Sequence, residues 1–238
     1  WIWQGTAICG VPREVNEAML HGWHGHNGVS LGNPRLGFVC TGQTVEGAPG
    51  LEGYYFEYDH ALSPEERVRF SDERAPRFDP AAAPKLDSAT WPEDRLRRVE
   101  RSYAMEYVRS LLPTMIELFG AAETEALVGR AARLIGLQFY EETAAMLGIA
   151  GDDAAAFGAY LGALQRAQGE DVRVETDGAS CTVTQSGWRL MAGVAPAGEP
   201  AFGAWNALWE GALAAHNRDL RLNSRFTSAG IAWRISSA

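Results

Sequence analysis

Between Asp171 and Thr184 apolar and polar residues alternate on either side of Asp177-Gly178. A period of two marks a half-buried strand, and Asp-Gly is a favoured two-residue hairpin turn. The pairing this predicts sets Thr176 opposite Ala179, Val174 opposite Cys181 and Val172 opposite Val183. One face then carries Val172, Val174, Cys181 and Val183, and the other Arg173, Glu175, Ser180 and Thr182. A second alternation closes the chain: Leu220, Leu222, Ser224 and Phe226, then, beyond Gly230, Ile231, Trp233 and Ile235. The helix predicted from Pro200 to His216 lies between the two hairpins. Its Phe202, Trp205, Trp209, Ala212 and His216 recur in steps of three and four and so share a face.

Upstream the period changes to that of helices. A long helix is predicted from Pro92 to Phe119, with Val99, Tyr103, Val108, Leu111, Met115 and Phe119 on one side, a kink at Pro113 and a left-handed cap at Gly120. A second runs from Glu123 to Leu147, where Ala131 and Gly136 permit close helix packing, and a third from Asp152 to Gln168 carries Phe157, Tyr160, Leu161 and Leu164 on one stripe. Three helices, a hairpin, a helix and a hairpin make an α+β pattern, a helical bundle on a four-stranded antiparallel sheet. Residues 91–238 form this domain. Residues 1–90, rich in Gly and Pro, read as a mixed, irregular segment that packs on the main domain or extends it. There a short helix over Pro12–His21, strands over 36–41 and 54–58, and a helix from the capping box Ser63-Pro-Glu-Glu66 through Phe70 are expected. The stretch 71–92 reads as a linker or an extended arm over the surface.

Composition removes several classes of function. With 238 residues, 46% hydrophobic and 21% charged, the chain is of globular character,. A net charge of −9 without a basic stripe argues against a nucleic-acid partner, because phosphate neutralisation needs clustered cations,. No apolar run reaches membrane-spanning length, so no membrane partner is expected. Lys85 is the single lysine and sits among Pro and Ala, a poor setting for Schiff-base or P-loop chemistry,. Cys9, Cys40 and Cys181 are too few and too dispersed for a disulfide scaffold, which points to a reducing, cytoplasmic setting,. Because the sequence opens Trp-Ile-Trp, a cleaved export signal stays open. The Ala-, Gly- and Arg-rich usage suggests a bacterial source. Self-association is left open.

Three of the five histidines, His21, His24 and His26, fall within six positions. Their spacing is not a zinc signature, yet together, or with Asp59 or His60 folded back beside them, they are the candidate ligands for a divalent metal such as zinc. The other reading of the segment is a solvated turn, with no cofactor required.

The C-terminal half resembles the L-2-amino-thiazoline-4-carboxylic acid hydrolase family, a bacterial group of α+β proteins. The resemblance covers about 92–236. It is carried by Glu117-Leu-Phe-Gly120, the glycine-bearing helix Ala131-Ala-Arg-Leu-Ile-Gly-Leu137, the strand with Cys181, the Trp-rich helix Trp205–His216 and the closing Gly230-Ile-Ala-Trp-Arg-Ile235. Thr182 stands where the family commonly has proline. The resemblance implies hydrolysis of a C–N bond in a small cyclic amidine or amide carboxylate. The residues themselves offer an apparatus: Cys181 as nucleophile with His216 as its base, and Tyr103, Glu106 or Glu210 to orient the imidazole. Trp188, Trp205, Trp209 and Trp233 would wall a flat pocket, with Tyr103 also counted among the substrate contacts. Arg221, Arg189 or Arg225 would hold the carboxylate. The competing readings are a metal-dependent enzyme on the histidine segment and a non-enzymatic module that binds a small ligand in a Trp-lined cavity. For each side chain the bland reading is packing: cysteine and tryptophan are commonly core residues, and a histidine at a helix C-terminus is explained by the dipole.

Overall fold

The structure is a computed structural model that describes residues 2–3, 13–48, 50–73, 79, 81, 85–194 and 198–238. It has two compact units, 1–85 and 86–238. The division falls slightly before the 90/91 boundary read from composition. Pro12, Cys9 and residues 74–78, 80 and 82–84 of the expected linker lie outside the described residues. No helix among the described residues is long and apolar enough to cross a membrane.

The first unit is more regular than its glycine content suggests. Strand β1 (Ile2–Trp3), helix α1 (Arg13–Trp23), the single turn α2 (Asn27–Ser30), β2 (Leu36–Gly42), β3 (Leu51–Glu57) and β4 (Val68–Phe70) build one sheet in the order β1-β3-β2-β4. β2 and β3 are antiparallel, whereas β4 joins β2 in parallel, Phe38 opposite Val68. The helix expected over 63–70 does not form. Glu66 accepts the Ser63 N–H at 2.8 Å, as a capping box requires, but only a 3-10 turn (Glu65–Arg67) follows, and the backbone then turns into β4. Pairing with β2 satisfies the backbone of Val68–Phe70 better than one more helical turn would. Leu20, Phe38, Cys40, Leu51 and Val68 form the unit's small core.

In the second unit α3 (Glu93–Phe119), α4 (Ala121–Met146) and α5 (Ala154–Ala167) precede β5 (Val172–Asp177) and β6 (Ser180–Ser186). Helix α6 (Glu199–His216), β7 (Leu220–Thr227) and β8 (Gly230–Ser237) follow. The sheet is antiparallel throughout, in the order β5-β6-β8-β7. α+β is therefore the fold class, with the order read from the periodicities. Helix α3 continues through Pro113. Gly120 joins α3 to α4 in a single residue at φ 81°, ψ 168°, a region that only glycine enters readily, instead of as a left-handed cap,.

Two details depart from expectation. Val174 pairs with Val183, Thr176 with Cys181 and Val172 with Gln185, two positions from the predicted register. Gly178, at φ 57°, and Ala179 are the central turn residues, and among the described residues none but glycine has positive φ, so the turn has the II′ pattern with glycine first,. A slip of two leaves every side chain on its predicted face. In α3 the core-facing residues are Leu112, buried, and Met105, Val108 and Ile116, half-buried. Val99, Tyr103, Leu111 and Phe119 are exposed instead.

The core lies between the sheet and two helices. α5 settles on β5 and β6 because Gly158 and Gly162 have no side chains: a β-carbon at Gly158 would stand 2.2 Å from the Cys181 sulfur. α6 covers the β8 side, placing Trp205 and Phe202 against Trp233. α4 backs α6 so closely that a β-carbon at Gly136 would lie 2.0 Å from the Leu208 carbonyl oxygen. One at Gly211 would lie 2.0 Å from that of Arg133. Ala131, expected to share this contact, is exposed.

Candidate functional site

Cys181 has no exposed surface and belongs to the main hydrophobic core. Burial pushes its thiol pKa up, only weakly opposed by Thr176 Oγ1 at 4.0 Å,. A nucleophile must reach substrate as thiolate, and this sulfur does neither; the expectation that Cys181 attacks is corrected on those grounds. Thiol reagents are accordingly expected to modify Cys181 only as fast as the unit unfolds. Mass mapping after native labelling checks this, and rapid labelling at position 181 without loss of structure would contradict it.

His216 is equally occupied. Its Nε2 lies 2.9 Å from the Asp153 carbonyl oxygen, an acceptor only, so Nε2 carries the proton,. Its remaining nitrogen, Nδ1, is 2.5 Å from the Tyr140 hydroxyl, which donates to it in the neutral ring. With both nitrogens engaged, the imidazole has no lone pair to offer Cys181. It ties the C-terminus of α6 to α4 and to the start of α5. Burial holds the Tyr140 phenol above its ordinary pKa, so it remains a donor.

The indoles pack into the protein and line neither of the grooves beside α6 and β7. Trp205 and Trp209 are buried, and half-buried Trp188 packs 5.5 Å from Trp205 and 5.6 Å from Phe226, ring centre to ring centre. They are core. Tyr103 is 53% exposed on α3, and Glu106 pairs with Arg109 on the same helix. Neither orients His216.

In the first unit the histidine segment is split. His24 is buried and stacks on Phe38 at 4.3 Å, with Nδ1 2.8 Å from the Tyr55 hydroxyl, which also accepts from Asn27. His21 and His26 are exposed, and His60 pairs with Asp59 at 2.8 Å. Among the described residues no three His, Cys, Asp or Glu side chains converge as metal ligands would. The described donor set does not fit a metal. Burial holds the His24 pKa below its ordinary 6.5. Folding therefore favours the neutral ring: its contribution is present above pH 6.5 and is lost as pH falls through the lower folded value. The first unit is expected to lose stability on acidification below pH 6.5, and His24→Phe to flatten that dependence. Denaturant midpoints followed by tyrosine and tryptophan fluorescence across pH 5–8 test it.

The feature with chemical capacity is a groove of about 620 Å³ between α4, α6 and β7. Glu199, Gly203, Asn206 and Glu210 follow one another at helical spacing along α6 and line it, with Glu125 from α4 and Ser224, Arg225 and Phe226 from β7. Asn206 is 4% exposed and its orientation is fixed: the indole N–H of buried Trp233 donates to Oδ1 at 2.8 Å, so Nδ2 faces Glu210, at 3.2 Å,. The other Glu210 oxygen lies 3.4 Å from Arg133. A chain of polar contacts thus runs from the sealed core to the groove. Glu125 lies over the bare backbone of α6: a β-carbon at Gly203 would be 2.8 Å from its carboxylate. Glu125 has no hydrogen bond or ion pair among the described residues. Of the arginines expected to hold a carboxylate, Arg225 lines this groove. Arg221 lines a neighbouring one, while Arg189 lies outside both. Comparison with protein-family models, with curated proteins and with solved structures finds no match.

Proposed function

We propose that the 86–238 unit binds a small cyclic amidine or amide carboxylate in the α4/α6/β7 groove and hydrolyses one of its C–N bonds. The observation that carries this reading is the pairing, in one groove, of an uncommitted carboxylate, Glu125, with an anchored one, Glu210, and an arginine, Arg225. An amidinium presents N–H groups that carboxylates accept, and a guanidinium holds a carboxylate bidentately. Asn206 and Glu210, fixed by Trp233 and Arg133, orient the ring. Phe202 and Phe226 supply apolar surface beneath it.

With Cys181 sealed, the attacking group is water. Glu125 takes a proton from water as the C–O bond forms at the amidine or amide carbon. The tetrahedral carbon then expels the ring nitrogen, breaking the C–N bond, and that nitrogen takes the proton from Glu125. The balance is one water added and one ring opened. The resemblance read in residues 92–236 to the thiazoline hydrolases makes 2-amino-thiazoline-4-carboxylate the first substrate to try. Mass spectrometry should show a product heavier by one water. No saturable binding and no turnover with any cyclic amidine carboxylate would overturn the reading.

A second reading is favoured by the same burial of Cys181 and engagement of His216, which leave the groove without a nucleophile–base pair: a binding module with no turnover. Saturable binding without product would select it. Cys40 and Cys181 are buried free thiols, which suits a reducing compartment, and we place the protein in the bacterial cytoplasm,.

A further inference from the structure

A second groove of about 390 Å³ continues the first. Its lining is Arg133 from α4, Glu210, Leu213 and Ala214 from α6, Arg218 from the connection, and β7 from Leu220 to Asn223, including Arg221. Glu210 lines both, and the two take successive stretches of α4, α6 and β7. The two adjoin at Glu210 and differ in charge. The first holds three carboxylates and Arg225, and the second holds three guanidiniums and Glu210. Arg133 is neutralised by Glu210, whereas Arg218 and Arg221 have no ion-pair partner among the described residues. Leu213, Ala214 and Leu222 give the second groove an apolar floor.

We infer that the ligand is elongated: beyond the cyclic amidine or amide carboxylate held in the first groove, it carries through a spacer a second oxyanion, carboxylate or phosphate, held between Arg218 and Arg221,. This rests on the reading of the first groove and deepens it, because a single-ring amino acid keeps both charges within one ring's width and leaves the second groove unused.

Calorimetric titration of the full chain with cyclic amidine carboxylates tethered through polymethylene chains of increasing length to a second, terminal carboxylate tests the inference, with phosphate-terminated members as a parallel arm. Affinity should pass through a maximum when the chain spans both grooves, about tenfold or more above the shortest member. The double variant Arg218→Gln/Arg221→Gln should reduce the long compound to the affinity of the short one. The arm with the larger gain identifies the oxyanion. A flat length series, or a gain that survives in the double variant, overturns the inference while leaving the first groove's reading in place. Failure of every member, the shortest included, overturns both.

Discussion

Alanine at Gly136 or Gly211 is expected to destabilise the 86–238 unit by about 3 kcal/mol or more. Glycine inside a helix ordinarily costs on the order of 1 kcal/mol against alanine, so substitution should stabilise wherever space allows. Here it does not. A β-carbon at either position would stand 2.0 Å from a carbonyl oxygen of the facing helix, and backbone cannot rotate aside as a side chain can. α4 and α6 would have to separate, opening the contact behind Trp205 and Trp209 and widening the groove they border. Gly129 is the internal control. On the same helix its β-carbon would meet Ala207 at 3.7 Å, ordinary contact, and Gly129→Ala should be neutral or stabilising by up to about 1 kcal/mol,. Denaturant midpoints of the three variants decide the matter. Equal effects at 129, 136 and 211 would mean that the helices do not approach as described.

Glu125→Gln is expected to lower turnover of a cyclic amidine carboxylate by about 10²-fold or more, the usual worth of a positioned general base, with a small effect on binding. Glutamine keeps the shape and one acceptor oxygen, puts an NH2 donor in place of the other, and cannot take a proton at neutral pH. Glu210→Gln should act differently. It weakens the pairing with Arg133 and with the amidinium, so its loss should fall mainly on KM,. Gly203→Ala connects the two, since its methyl group would displace the Glu125 carboxylate from 2.8 Å while leaving the carboxylate chemically intact. A fall in kcat with retained stability in Gly203→Ala would show that position, beyond charge, matters. Unchanged turnover in Glu125→Gln would remove this residue from the mechanism.

The strands and helices of the second unit were legible because their apolar residues keep a clean period, and the faces of the hairpin survived a register read two positions away. That slip came from giving Asp177 a place that glycine takes in a II′ turn. The face of α3 was not legible: its apolar residues lie on several sides, and only packing selects Met105, Val108, Leu112 and Ile116. The inward direction of Cys181 was readable from alternation. Its sealing was not, since that depends on Gly158 and Gly162 lowering α5 onto the strands. The indole stripe of α6 suggested a pocket wall, but Trp188 and Trp233 pack against Trp205 and close it. The polar stripe Glu199, Gly203, Asn206 and Glu210 stood at helical spacing on that same helix, but a short polar stripe with a glycine reads as a solvated face. What distinguished it was the indole N–H of Trp233, 27 positions along the chain, ending on Asn206.

The most direct test of the central claim, that chemistry belongs to the α4/α6/β7 groove and Cys181 to the core, compares Cys181→Ala and Glu125→Gln in one ring-opening assay, each first shown to be folded. Cys181→Ala should keep turnover within a few fold of the parent and show a lowered unfolding midpoint, because it removes buried packing only. Glu125→Gln should keep the midpoint and lose turnover. A folded Cys181→Ala protein without activity, beside a fully active Glu125→Gln, would contradict the account.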